Sequence, residues 1–280
     1  MAFSHTIFAL PFALIGLSLG LEVNQPTDFL LKIFFVILCM IFARSAAMAF
    51  NRFLDRHIDA KNARTATREI PAGLVSERAA IMLVIISSAL FVFCSYLLNY
   101  QCFILSPIAL LVVLGYSYTK RFTWLCHFIL GLGLALAPIG AYLATGGNFD
   151  IIPVLYSFVV LFWVGGFDII YSLQDEEFDK KQALHSVPTW LGGKKALNLS
   201  KGIHLIAAII LIFVTFQIEF EFNELGILHW VGTIVFLFFL YYQHTVVNLN
   251  NLSNINKSFF TINGFASVLY GTCFLIDFWN

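Results

Sequence analysis

The sequence predicts an all-α, polytopic membrane protein, with nine transmembrane helices around a central cavity. Three observations carry that expectation. Of 280 residues, 60% are hydrophobic and 11% are charged, and the mean hydropathy is +0.85, whereas soluble domains run nearer ~25% charged. The apolar residues gather in runs of about 20, the length that crosses a bilayer as a helix. These runs lack the short alternation of membrane barrels, and a helix satisfies its own backbone polar groups in lipid. A soluble enzyme, a nucleic-acid binder and a disordered chain are all excluded by this composition.

The first apolar stretch, 3–21, is preceded by no basic segment of the signal-peptide kind, and no small-residue cleavage site follows cleanly, so it reads as a retained helix. Eight more spans follow at 29–51, 79–98, 102–119, 124–145, 152–174, 196–216, 226–246 and 258–278. With the N-terminus cytoplasmic, the internal connections 52–78, 120–123, 175–195 and 247–257 and their flanks hold all of the 16 Lys and Arg except Lys32 and Arg44. The opposite loops carry Glu22, Asp28, Asp150, Glu219, Glu221 and Glu224. That asymmetry is the positive-inside pattern. Cys39, Cys94, Cys102, Cys126 and Cys273 are scattered without a C-x-x-C pair, which points to buried thiols and away from a disulfide or zinc framework. Gly131, Gly133, Gly140, Gly165 and Gly166 read as close helix packing. Asn248, Asn250, Asn251, Asn254 and Asn256 form a polar loop with no assignable role. The whole of 1–280 reads as one membrane-embedded domain, with functional loops at 52–78 and 175–195.

Both of these loops follow a helix whose end carries acids. Asn51, Asp55 and Asp59 are spaced i, i+4, i+8 and lie near one helical stripe. Asp175 and Asp179 repeat the i, i+4 spacing, and the stripe runs back to Tyr171 and Asp168. Asp168 sits deep enough in its helix to require a polar cavity. Carboxylates four residues apart repel unless cations or protons lie between them. Oxygen ligands that leave room for water and phosphate suit Mg²⁺. Two such clusters around one diphosphate also account for the bases beside them, Arg64, Arg68 and Lys120. The plainer alternative is that these acids are solvated helix ends that balance positive loops. The doubled pattern and the intramembrane acid in register favour the metal–diphosphate reading.

These residues together resemble the UbiA superfamily of intramembrane aromatic prenyltransferases. Asn51-x-x-x-Asp55-x-x-x-Asp59, followed by Arg64-Thr65-Ala66-Thr67-Arg68-Glu69-Ile70-Pro71-Ala72-Gly73, is similar to its first signature. Asp168-x-x-Tyr171-x-x-x-Asp175-x-x-x-Asp179 is similar to its second, and Tyr116-Ser-Tyr-Thr-Lys120 to its Y-x-x-x-K element. The opening Ser4-His5-Thr6-Ile7-Phe8-Ala9-Leu10-Pro11 is also typical. Many members read Asn-Asp at the start of the first motif, whereas position 52 here is Arg. This points away from the haem-farnesylating and naphthoate-prenylating branches and toward the 4-hydroxybenzoate-like branch. The resemblance implies that Asn51, Asp55 and Asp59 hold one Mg²⁺–diphosphate contact and Asp175 and Asp179 the other. It further implies that Arg64, Arg68 and Lys120 bind diphosphate oxygens, with Tyr116 nearby.

Arg44 lies seven residues before Asn51, on the same face and about 10 Å deeper. Either it pairs with Asp168 or it binds the carboxylate of an aromatic acid. Tyr171 either packs or shields a carbocation with its ring face. All seven histidines, His57 included, read as structural or exposed. The expected reaction is Mg²⁺-dependent transfer of a polyprenyl group from its diphosphate to a ring carbon of an aromatic acid, 4-hydroxybenzoate first and a dihydroxynaphthoate second, in quinone biosynthesis. The expected partners are those two substrates and the lipid bilayer, with no nucleic acid. The expected location is a bacterial plasma membrane, with the active-site loops cytoplasmic. A secondary transporter would also bury Asp168 and Arg44 in a bundle, but it needs polar access from both sides, and the outer helix ends carry no comparable set.

Overall fold

The structure, a computed structural model, describes residues 6–222, 225–247, 249, 252 and 255–280. Ser4, His5, Glu224, Asn248, Asn250, Asn251 and Asn254, all used above, lie outside the described residues. Among those described, every regular element is helical. In chain order the helices are α1 (Thr6–Asn24), α2 (Phe29–Asp59), α3 (Glu77–Leu98), α4 (Tyr100–Thr119), α5 (Cys126–Ala144) and α6 (Ile151–Ser172). They continue with α7 (Glu176–Lys181), α8 (Val187–Leu191), α9 (Gly193–Glu221), α10 (Leu228–Val246) and α11 (Asn263–Trp279). Seven described stretches are long and apolar enough to cross a membrane. The shorter apolar α1 and the 19-residue α10 fill the two remaining expected positions.

The bundle has two unlike walls. One is an aromatic core shared by α1, α6, α10 and α11, where Phe12, Tyr156, Trp163, Phe236 and Tyr270 interlock with almost no exposed surface. Their polar atoms are paired in that lipid-like interior: Trp163 Nε1 donates to Asn263 Oδ1 at 2.9 Å, and the Tyr156 and Tyr270 hydroxyls meet at 2.6 Å. The other wall, formed chiefly by α2, α4 and α5, is the side that opens into a cavity.

Close helix contact depends on glycine at particular places. A methyl on Gly16 of α1 would lie 2.0 Å from the Pro138 carbonyl oxygen of α5, and one on Gly131 would lie 2.5 Å from the Leu161 carbonyl oxygen of α6. Gly133 and Gly140 behave differently. Both line the cavity, and an added methyl would meet only Val113 at 3.9 Å in the first case and nothing within 4 Å in the second. These two glycines widen the cavity and do not seat a neighbouring helix, which corrects the packing expectation for them.

Lys32, one of the two bases outside the positive loops, caps a helix at the far end of the bundle. Its Nζ donates to the Leu98 carbonyl at the end of α3 and lies 3.7 Å from Asp28. The five cysteines are all free.

Gly16→Ala should overpack the α1–α5 contact and cost about 1–3 kcal/mol, read as a lower unfolding midpoint in detergent. Gly140→Ala should leave that midpoint near wild type.

Candidate active site

α2 contains no glycine or proline between its ends, so the helix runs unbroken past the membrane-spanning segment and carries its acids on one face. Asn51, Asp55 and Asp59 all face the cavity. The second cluster is built differently. α6 stops at Ser172, a single 3₁₀ turn spans Leu173–Asp175, and α7 begins at Glu176. Asp168, Tyr171, Asp175 and Asp179 all line the cavity, although the continuous helical stripe expected for them is broken at that turn.

Each carboxylate but one is held by a base. Asp55 is 1% exposed and receives Lys120 Nζ on Oδ2 and Arg121 Nη2 on Oδ1 at 2.8 Å. Asn51 donates to the same Asp55 at 3.3 Å and reaches Ser117 of α4. Arg68 Nη1 donates to Asp59 Oδ1 at 2.7 Å, while Asp59 Oδ2 is buried without a hydrogen-bond partner. Arg64 grips Asp175 with two nitrogens, Nε at 3.1 Å and Nη2, and Asn62 adds a third donor at 3.1 Å. Among the described residues no ion pair holds Asp179. Arg64 also donates from Nη1 to the Tyr171 hydroxyl at 2.9 Å, and the Tyr171 ring packs against Phe259 with centroids 4.2 Å apart.

The loop after α2 is fastened by the residue that departs from the family pattern. Arg52 Nε donates to Glu69 at 3.1 Å. The Glu69 carboxyl sits below the ordinary carboxylate range, through its own backbone N–H first and the Arg52 charge after it, against the pull of burial. Burial alone would lower the Arg64 pKa, but the Asp175 carboxylate more than offsets it and leaves that pKa raised.

The segment after α7 docks on the α4–α5 corner. The His185 N–H donates to the Lys120 carbonyl at 2.7 Å, the Val187 N–H donates to His127 Nε2 at 3.2 Å, and Trp190 stacks on Trp124 at 4.3 Å. Below the ring of charge the cavity is apolar and holds about 640 Å³, with Tyr116 and Arg44 in its wall. The structure therefore brings together every residue expected at the site. It also adds Asn62, Arg121 and His127. Arg121 adjoins Lys120 and could have been inferred from that adjacency; Asn62 opens the Asn62-Ala63-Arg64-Thr65 stretch of the first loop, and His127 stands in no motif. His127, read from the sequence as structural, is buried and reaches Asp168 Oδ2 at 2.7 Å, the partner the structure gives that deep acid. His57 is exposed, as expected. Glu176 pairs with Lys180 at 2.6 Å, away from the acids.

A greasy cavity inside a helical membrane bundle, closed at one end by matched carboxylates and bases, defines an intramembrane enzyme for substrates with an apolar body and a charged head. The profile of the UbiA prenyltransferase family matches residues 9–265, and the chain belongs to that family. It is thus a prenyltransferase, which sets aside the transporter alternative. A 4-hydroxybenzoate octaprenyltransferase of Aliivibrio fischeri is 29% identical over 259 residues, covering 90% of this chain and 86% of its own. Another from Legionella pneumophila is 32% identical over 193 residues, covering 67% and 63%. The apo structure of a UbiA homolog from Aeropyrum pernix K1 superposes with a TM-score of 0.85 at 31% identity, across 99% of both chains. A UbiA homolog from Archaeoglobus fulgidus, solved bound to GPP and Mg²⁺, shares the fold with a TM-score of 0.72 at 20% identity, over 98% of this chain and 95% of its own.

Arg121→Ala removes charge-assisted bonds to a fully buried acid and should cost roughly 1.5–3 kcal/mol. Arg52→Ala breaks a partly exposed pair and should cost under about 1 kcal/mol. Unfolding midpoints of the two variants in one detergent check that order.

Proposed function

We propose that this chain, acting as a single membrane-embedded domain, transfers a polyprenyl group from its diphosphate to a ring carbon of an aromatic acid. The acceptor is 4-hydroxybenzoate, and the product feeds a ubiquinone-type quinone. The observation that carries the reading is the juxtaposition of two acid pairs, from α2 and from α6–α7, across the mouth of one apolar cavity. The names of the curated relatives supply the acceptor, and the bacterial sources of those relatives support a bacterial plasma membrane as the setting.

The donor set fits Mg²⁺. It is all oxygen, it includes the buried, unpartnered Asp59 Oδ2, and Asp179 is an acid without an ion pair. Mg²⁺ completes its shell with water and phosphate oxygens and needs few protein ligands. The charge count points the same way. Asp55, Asp59, Asp175 and Asp179 are balanced by Arg64, Arg68, Lys120 and Arg121, so an incoming diphosphate needs positive charge from elsewhere. Asn51, Asp55 and Asp59 would hold one ion and Asp175 and Asp179 the other. When bound, Mg²⁺ supplies electrophilic neutralisation of the leaving diphosphate.

The protein's own residues do the rest. Arg64, Arg68 and Lys120 turn from their carboxylates to the diphosphate oxygens and stabilise charge as it develops there. The apolar cavity takes the prenyl chain, which reaches it from the bilayer without crossing water. It also keeps water from the allylic cation. Tyr171, fixed by Arg64 and Phe259, presents its ring to the cavity near the carbon that loses its leaving group. Arg44, about 10 Å below Asn51, binds the acceptor carboxylate and sets the ring where the cation forms.

Turnover of a prenyl diphosphate with 4-hydroxybenzoate in detergent should be abolished by EDTA and restored by Mg²⁺. Asp55→Ala and Asp179→Ala should lose at least about 100-fold while remaining membrane-inserted. Near-wild-type turnover of either variant would remove its cluster from the site. Arg44→Ala should raise KM for the acid by roughly 10-fold or more, the loss of one charged hydrogen-bond partner, and leave KM for the donor almost unchanged. A panel of aromatic acids, with products weighed by mass spectrometry, reads the acceptor directly. Preference for a dihydroxynaphthoate would replace the acceptor named here.

A further inference from the structure

His127 sits at the start of α5 and is 3% exposed. Its Nδ1 lies 2.7 Å from Asp168 Oδ2, and its Nε2 accepts the Val187 backbone N–H at 3.2 Å. A ring nitrogen that accepts a hydrogen bond carries no proton. The Val187 contact takes Nε2, which leaves Nδ1 as the nitrogen that donates to Asp168. A carboxylate held this way keeps one rotamer. Oδ2 is occupied by the imidazole, whereas no described residue hydrogen-bonds Oδ1, and Asp168 lines the cavity with its side chain 19% exposed.

Arg44 precedes Asn51 by seven residues of unbroken helix, so it lies about 10 Å below it. Arg44 from α2 and Asp168 from α6 both line this one cavity.

We propose that His127 is a positioning residue that holds Asp168 as the base removing the acceptor's ring proton. The inference rests on the prenyl-transfer reading above. In the first step the donor C1–O bond breaks and its electron pair leaves with the diphosphate. The aromatic ring then supplies the pair for the new C–C bond. In the last step the ring C–H bond breaks, its proton passes to Asp168 Oδ1, and its electron pair restores the aromatic ring. Asp168 gives the proton to water as product leaves. Because Val187 opens α8 just beyond Asp179, the same imidazole ties this base to the loop that carries the second acid pair.

The test compares 4-hydroxybenzoate with the same acid deuterated ortho to its hydroxyl, using geranyl diphosphate as donor. Wild-type protein should show no isotope effect, since ionisation limits turnover. His127→Ala should lose on the order of 100-fold in kcat, keep its KM for the donor, and acquire a primary isotope effect. His127→Asn, which places an N–H donor where Nδ1 stood, should recover most of the rate and lose that effect. Asp168→Asn keeps the imidazole contact and removes the base, so it should show the isotope effect even if His127→Ala fails to fold. Wild-type turnover in Asp168→Asn, or a rate loss in His127→Ala without an isotope effect, would overturn the proposal. Failure of the wild-type protein to prenylate any aromatic acid would instead overturn the functional reading on which it rests.

Discussion

The organisation of this protein depends on burying ionised carboxylates at one end of a membrane bundle. Asp55 is 1% exposed, and an uncompensated charge at that depth costs several kcal/mol. The helix ends must therefore bring bases to it, and Lys120 and Arg121 do so from the end of α4. Arg68 meets Asp59 from the following loop, and Thr65 Oγ1 donates to the Asp59 carbonyl at 3.1 Å, so the loop folds back over its own helix. Arg64 continues across to Asp175. The acids thus fix where three helices end and how the loops close above them.

That ring of charge sits on two walls of different stiffness. The α1, α6, α10 and α11 side is packed with interlocked aromatic rings whose hydroxyl and indole groups are paired. The α2, α4 and α5 side offers small residues to the cavity, Ala137 and Gly140 among them. The rigid wall carries Asp168 and Tyr171, the groups whose position the chemistry needs most. The open wall leaves room for a long substrate.

Much of this was legible in the sequence because it rests on local periodicity. Helix number follows from runs of apolar residues, and the Asn51–Asp55–Asp59 stripe follows from a helix without breakers. The second cluster was less legible. Spacing alone gives no sign that α6 gives way to a 3₁₀ turn before Asp175, because the i, i+4 pattern continues unbroken through the turn. His127 was invisible for another reason: it gains its role from Asp168 and Val187, which are 41 and 60 positions away. Gly133 and Gly140 misled because a glycine in an apolar helix serves close packing and open space equally well, and only tertiary context separates the two.

The length of α2 has a further consequence. Its 31 residues span about 46 Å at the usual rise, while the hydrocarbon layer is about 30 Å thick. About 16 Å of helix must therefore tilt or stand out into the headgroup region, and that length is the part that carries Asn51, Asp55 and Asp59. The carboxylates then lie at the depth where an amphiphile already anchored in the leaflet keeps its own polar head. Such a molecule can slide in sideways with its tail in oil and its head in water throughout. Bilayer thickness becomes a variable of the reaction, since a thicker membrane would draw the acids into the hydrocarbon and a thinner one would lift them clear of it.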